Sequence, residues 1–428
     1  MTGQDGPGRV GPLIEVRGLR VDYGLGPDAV HAVIDADLTL VSGAVLGLAG
    51  ESGSGKSTLA YAMTRLLRAP GIITGGQVLL HGGTGPAQAG AIDLMAADER
   101  RLRQLRWSRI AVVMQSAMHA LNPVVTIGAQ LTDVLQAHRL KMDKTDRRQR
   151  AAFLLEMVGI SADNLRRYPH QLSGGMRQRV MIAMALALEP AVVIMDEPTT
   201  ALDVVTQREI LTELAALQRD LSFAVLFITH DLSLLVELAN SIAVMYAGRL
   251  LEQATASDLY RAPRHPYTLG LLRSFPPLHG ARKPLTGIPG SPPDLRAPPP
   301  GCPFHPRCGF AMDVCRTEMP AAFQPGGRSA ACWLHDGAHE VPPELAVPGP
   351  SILSPAAGTG TGAGMETRDG TGTGASTGTG ASTGTGTGTE GGAGSETEAG
   401  ARHAAARLTA ALPPGTAGAA PDTTGTLR

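Results

Sequence analysis

Aromatic residues make up 4% of this 428-residue chain and charged residues 18%. With so few rings, a core must draw on Ala, Val and Leu, and a hydrophobic content of 43% is enough to build one. Neither sign of charge is in excess: 37 Lys and Arg face 38 Asp and Glu, for a formal net charge of −1. That balance gives no electrostatic footprint for nucleic acid, so none is expected as a partner. Long apolar runs are also missing. The most apolar stretch, Val180 to Met195, is interrupted by Glu189–Pro190 and falls short of the ~20 residues a spanning helix requires. No apolar stretch follows a basic start near Met1, so no secretory signal is expected, and the chain reads as cytosolic. Any membrane role then goes through a partner. There are four cysteines, which in such a compartment are reduced thiols or metal ligands rather than disulfides.

Glycine (53) and proline (32) are plentiful but unevenly spread. Residues 1–12 read as a disordered leader. From Ile14 to Tyr23 a partly alternating pattern predicts an edge strand of an antiparallel sheet. Three later runs are unbroken, at Ala44–Ala49, Ala191–Met195 and Ala224–Ile228, and predict strands buried on both faces of a parallel α/β sheet. Between the first two, the segment from Asp93 is rich in Arg, Gln, Leu and Ala and predicts a helical arm over about 93–180. A proline-dense stretch, Arg261 to Arg307, predicts chain wrapped over a surface, and a cysteine segment follows from Cys302 to Cys332. The expected units are a core at 13–260, an extension at 261–335 and a Gly/Thr-rich tail at 336–428. The tail has too little large apolar surface to offset chain entropy and is expected to be disordered.

Gly50-Glu51-Ser52-Gly53-Ser54-Gly55-Lys56-Ser57 fits G-x-x-x-x-G-K-[ST], directly after a predicted buried strand and before a helical stretch that opens at Thr58. Glycines let successive N–H groups face phosphates, and the helix N-terminus adds its positive end. Lys56 can reach the outer phosphates, and the Ser57 hydroxyl suits Mg²⁺. A chance glycine-rich turn is the plain alternative, and the strand–loop–helix context speaks against it. Further on, the run Ala191–Met195 ends in Asp196-Glu197-Pro198. Asp196 fits a metal-holding carboxylate and Glu197 a general base polarising the attacking water. Two acids at a solvated strand end are common. Taken with Lys56 and the downstream Thr199-Thr200-Ala201-Leu202-Asp203, that reading weakens.

Leu172-Ser173-Gly174-Gly175-Met176-Arg177-Gln178-Arg179 makes a second anion-binding turn at a helix start. One nucleotide does not need two such turns from one chain, so this one is expected to close on a nucleotide held by another subunit. These motifs, in this order, resemble the ABC transporter ATPase family over about residues 13 to 335. The resemblance implies a P-loop ABC ATPase core, a mixed sheet with a parallel core and an antiparallel edge, carrying a helical subdomain. It implies ATP and Mg²⁺, the metal held by Ser57, Gln115 and Asp196. By the same resemblance Tyr23 stacks on adenine and Gln115 touches the metal and the attacking water. Asp203 belongs to the dimer contact, and His230, in Ile228-Thr229-His230-Asp231, senses the γ-phosphate. Taken alone, Tyr23 reads as a packing aromatic, Gln115 as a surface glutamine and His230 as a hydrogen-bonded strand-end histidine.

Gln115-Ser116-Ala117-Met118-His119-Ala120-Leu121-Asn122-Pro123 and Arg264-His265-Pro266-Tyr267-Thr268 resemble the dipeptide/oligopeptide/nickel importer branch, although His119 stands where that branch is expected to have Asn. The implied partners are a second ATPase subunit, two transmembrane permease subunits and an extracytoplasmic peptide-binding protein, with this chain peripheral on the cytoplasmic face of the membrane. Cys302, Cys308, Cys315 and Cys332 match neither paired CxxC zinc spacing nor ferredoxin runs, so free thiols and a metal site both stay open. Some members resembling this segment carry a [4Fe–4S] cluster here, which places iron–sulfur ahead of zinc. Peptide import is the leading function. A nickel importer ATPase and a soluble non-transport ABC ATPase are the alternatives.

Overall fold

The computed structural model describes residues 11–82, 90–115, 120–138, 142–200, 202–274, 287–324 and 328–346. His119, and most of the expected leader and tail, lie outside the described residues.

The alternating N-terminal stretch forms β1 (Pro12–Tyr23), which pairs antiparallel with β2 (Val30–Val41). The apolar run that follows is β3 (Val45–Ala49), buried at every position. It feeds the glycine loop and then α1 (Lys56–Met63). Next come β4 (Gly71–Leu80) and the short β5 (Ile92–Asp93). Asp98 caps α2 (Glu99–Leu105), and β6 (Ile110–Val113) follows. The four-stranded sheet has the order β2-β1-β4-β5. β1 is therefore flanked on both sides and is not the edge strand expected, because alternation reports a half-buried face and says nothing about how many neighbours a strand has.

Beyond β6 the chain is helical: α3 (Ile127–His138), α4 (Lys144–Met157) capped by Asp143, and α5 (Gly174–Leu186) capped by Ser173. The helical arm is thus narrower than the expected 93–180. β6 lies inside that span yet pairs parallel with β7 (Val192–Asp196), so it belongs to the main sheet. Its four residues, Ile-Ala-Val-Val, are buried or nearly so between polar helices.

Asp203 caps α6 (Val204–Leu221), which returns the chain to β8 (Ala224–Ile228). Asp231 caps α7 (Leu232–Leu238), and the hairpin β9 (Ser241–Tyr246) with β10 (Arg249–Thr255) closes the core. The main sheet runs β10-β9-β3-β8-β7-β6, parallel from β9 to β6 and antiparallel at β10. Parallel strands buried on both faces read as the unbroken Val/Ile/Leu runs seen at β3, β7 and β8. In such sheets ligands meet the chain beyond the C-terminal strand ends, and β3, β7 and β8 lead there to Gly50, Glu197 and Thr229.

The extension begins with α8 (Ala256–Arg261) and α9 (Pro266–Arg273), continues through α10 (Asp313–Thr317), and adds β11 (Ser329–Ala330) to the free side of β10. The last described helix, α11 (Pro343–Ala346), buries Leu345 against Cys332 and Leu334. The expected tail boundary at 335 therefore falls too early, since Leu345 and Val341 are apolar enough to pack. No helix among the described residues is long and apolar enough to cross a membrane.

Candidate active site

The phosphate-type loop is held where side chains have no room. Gly50 has φ 148° and Gly55 φ 105°. A Cβ at Gly50 would stand 2.1 Å from the Met245 carbonyl oxygen, and one at Gly55 2.2 Å from that of Ala32. Backbone therefore crosses both positions, and nothing larger than glycine fits. The Ser54 carbonyl accepts from the Gly248 N–H at 3.0 Å, which fixes the loop against the β9–β10 turn. Lys56 is buried, and its Nζ donates to the carbonyls of Gly50 (2.8 Å) and Glu51 (2.9 Å). Burial pushes its ammonium below the usual lysine range, against the pull of Glu197 and Asp196. Such a cation, held by weak carbonyl partners, is ready to exchange them for phosphate oxygens.

The Ser57 hydroxyl donates to Asp196 Oδ1 at 2.9 Å, and the Tyr61 hydroxyl donates to Oδ2 at 2.8 Å. Asp196 is fully buried, and burial raises its carboxyl while these two hydrogen bonds pull it down. Glu197 follows in left-handed backbone, φ 44°. For a glutamate that conformation is strained, and it aims the side chain away from the strand. Gln115 Nε2 donates to Glu197 Oε2 at 3.0 Å, Thr200 Oγ1 donates to the same oxygen at 3.2 Å, and His230 Nδ1 lies 3.4 Å from Oε1. The fold thus brings Lys56, Ser57, Gln115, Asp196, Glu197 and His230 to one place from three strand ends and a helix start. Tyr23, at the end of β1, is not joined to these residues directly; its hydroxyl lies 3.2 Å from Oγ1 of Thr58, the residue after Ser57.

Ser173, Gly174 and Gly175 are elsewhere engaged. The Ser173 hydroxyl accepts from the Met176 N–H, and a Cβ at Gly175 would meet Thr206 Cγ2 at 2.6 Å, so α5 packs closely on α6. Among the described residues no hydrogen bond joins this turn to the Lys56 loop.

The extension reaches back to the loop. Glu252, buried in β10, accepts from the N–H groups of Arg264 and His265 at 2.7 and 2.9 Å. His265 Nδ1 accepts from the Tyr267 N–H at 3.0 Å, and the Tyr267 hydroxyl accepts from the Glu51 N–H at 2.8 Å. All four cysteines line one cavity with His265, whose Nε2 is buried without a hydrogen-bond partner among the described residues. Because Nδ1 is the acceptor, Nε2 carries the proton. Burial raises the thiols of Cys302, Cys308 and Cys332, the first to about 11 and the last to about 12. No group of three or more His, Cys, Asp or Glu among the described residues is placed to hold a single metal ion.

Residues 33–200 match the family described as ABC transporter, and residues 251–315 match the oligopeptide/dipeptide transporter C-terminal region. The oligopeptide transport ATP-binding protein OppD of Salmonella typhimurium is 41% identical over 335 residues, 78% of this chain and 96% of that protein. The dipeptide transport ATP-binding protein DppD of Caldanaerobacter subterraneus is 39% identical over 326 residues, 76% of this chain and 97% of its own length. The chain belongs to the ABC transporter ATPase family.

ATP is therefore the nucleotide of this ABC ATPase. Three contributors to its site escape a reading of motifs. Tyr61 lies four residues after Ser57, one helical turn on, so the helix period alone places both side chains on the Asp196 side. Thr200 follows Glu197 within the same turn. Glu51 carries no signature, since its position in the loop motif accepts any residue.

Proposed function

We propose that this chain is the ATP-hydrolysing subunit that drives import of dipeptides and oligopeptides, working as one half of a two-cassette engine. The observation that carries this reading is the setting of Glu197: a strained carboxylate with Gln115, Thr200 and His230 on its oxygens, one residue from an Asp196 already joined to Ser57. Glu197 acts as the general base on the attacking water, Gln115 orients that water, and His230 meets the γ-phosphate. Lys56 and the N–H groups from Gly53 to Thr58 hold the phosphates, and Tyr23 flanks the adenine.

Mg²⁺ fits the hydroxyl and carboxylate oxygens of Ser57 and Asp196, with Gln115 beside them; when bound it neutralises charge on the β- and γ-phosphate oxygens. Ser173, Gly174 and Gly175, whose turn is tied within α5 and packed on α6, serve a nucleotide on a partner cassette. Closure then completes the site, and release follows hydrolysis. The implied assembly adds a second ABC ATPase, two transmembrane permeases and an extracytoplasmic peptide-binding protein, with this subunit on the cytoplasmic face of the membrane. The relatives' names, oligopeptide and dipeptide transport, favour peptide over nickel as cargo.

A [4Fe–4S] cluster on Cys302, Cys308, Cys315 and Cys332 belongs to the same proposal. Four thiols on one cavity are the right donor set, and the orphaned His265 Nε2–H is a donor suited to a sulfur acceptor. The group would supply structural or redox-sensing chemistry and no part of hydrolysis. A colourless, iron-free sample after anaerobic purification removes it.

Glu197→Gln tests the catalytic reading. Expected is a closed dimer that retains ATP with hydrolysis lost; undiminished turnover in that variant ends the assignment.

A further inference from the structure

Glu51 has every polar group taken. Its N–H donates to the Tyr267 hydroxyl at 2.8 Å, and its carbonyl accepts from Lys56 at 2.9 Å. Its carboxylate is gripped by both arms of Arg307: Nη1 to Oε2 at 2.7 Å and Nη2 to Oε1 at 3.0 Å. Arg307 is fixed in turn. Its Nε donates to the Pro289 carbonyl at 2.7 Å, Nη1 also donates to the Tyr246 hydroxyl at 3.2 Å, and the side chain is 5% exposed. Tyr246, Tyr267 and Phe304 pack ring on ring beneath it, with centroids 4.6 to 5.4 Å apart.

Two of these holding residues come from the extension, and their sequence setting matters. Arg307 precedes Cys308 and lies in a short helical turn, His305–Arg307, that begins just after Cys302. That turn is tied to the cysteines: the Cys302 N–H donates to the Cys315 carbonyl at 2.9 Å, and His305 Nδ1 lies 2.9 Å from the Cys302 carbonyl. A shift of the cysteine segment therefore moves the guanidinium. A bidentate carboxylate pair, with the guanidinium buried and the carboxylate 26% exposed, transmits such a shift to the loop better than a fully exposed one.

We propose that the extension is a working part of the nucleotide site: Arg307 is a positioning residue that sets the phosphate loop through Glu51, and the four-cysteine cavity sets Arg307. This rests on the loop being the ATP site, as proposed above. A change in how the cysteine segment packs then changes ATP affinity without any cysteine touching nucleotide.

The test uses the full-length chain, a fluorescent ATP analogue, and steady-state hydrolysis with thermal unfolding alongside. Arg307→Met is expected to weaken analogue binding about tenfold, the loss of roughly one charge-assisted pair. KM for ATP rises more than kcat falls. Glu51→Gln has the same effect, and the double variant adds nothing further, because both act through one link. Arg307→Lys, which keeps the charge but loses the fork, falls between. Cys308→Ser weakens binding in the parent chain but adds nothing in Arg307→Met. Unchanged analogue binding in Arg307→Met with a lowered melting temperature makes the pair merely structural and overturns the proposal. Additive losses in the double variants overturn it as well. Absence of hydrolysis and of analogue binding in the parent chain defeats the functional reading itself, a distinct result.

Discussion

The Tyr61 hydroxyl donates to Asp196 Oδ2 at 2.8 Å while Ser57 occupies Oδ1, so the buried carboxylate proposed to hold Mg²⁺ is held on both oxygens. In the proposed site a bound cation displaces Ser57 from Oδ1, and Tyr61 keeps the carboxylate oriented. Tyr61→Phe removes a hydrogen bond to the charged form, and Asp196 moves further up from its ordinary carboxylate value. Hydrogen bonds to charged groups contribute about 1.5–3 kcal/mol, so the Mg²⁺ concentration for half-maximal ATPase is expected to rise by roughly ten-fold or more. Titrating Mg²⁺ at fixed ATP measures it. An unshifted Mg²⁺ midpoint removes Tyr61 from the metal site.

Gly50 and Gly53 both lie at positive φ, yet they predict different outcomes. At Gly50 a Cβ meets the Met245 carbonyl at 2.1 Å, whereas at Gly53 it meets nothing within 4 Å. Gly50→Ala must displace β9 backbone and is expected to abolish nucleotide binding. Gly53→Ala carries only the left-handed backbone cost of about 1–2 kcal/mol, partly offset by a less flexible unfolded chain. Thermal unfolding together with fluorescent-nucleotide binding separates the two; equal losses contradict the packing argument.

Much of this is legible in the sequence. β3, β7 and β8 declared themselves because a strand buried on both faces has no polar alternation to obscure it. The Lys56 loop and the Asp196–Glu197 pair were legible because their chemistry is local: one loop, one strand end. β6 was not, since four apolar residues after an Arg-rich helix match a buried helix turn as well as a strand. Least legible were contacts across the chain. Arg307 and Glu51 are 256 positions apart, and neither has a pattern that names the other. The segment Arg264–Thr268 resembled an importer branch with no physical reason attached. The structure supplies one, because Tyr267 holds the phosphate loop through the Glu51 N–H.

Glu197 offers a test of strain against function. At φ 44° any side chain with a Cβ costs about 1–2 kcal/mol that glycine does not. Glycine returns part of that advantage, about 0.5–1 kcal/mol, through its more flexible unfolded state. Glu197→Gly is therefore expected to be more stable than Glu197→Ala by up to about 1.5 kcal/mol. Both lose the proposed base, so hydrolysis falls equally. Paired denaturant titrations check the difference; Ala proving the more stable would mean the backbone relaxes out of the left-handed region.

His265 makes stability depend on pH in a direction that can be worked out. Burial drives its imidazole from 6.5 down to about 3, with the nearby His335 acting the same way. In the fold the ring stays neutral, whereas the unfolded chain takes up a proton once pH drops below 6.5. The stability of the neutral ring is thus fully present above that pH and is lost as pH falls from 6.5 towards 3, by up to about 1.4 kcal/mol per unit. Glu252, which accepts from the His265 N–H, opposes this, because burial raises its carboxyl and the folded state takes up that proton first. His265→Asn isolates the histidine. Asparagine can still accept from the Tyr267 N–H at the helix start but does not titrate. Between pH 7 and 5 the parent chain is expected to lose stability faster than the variant in urea titrations. Parallel pH profiles for the two would mean that His265 is solvated and protonates freely in the fold.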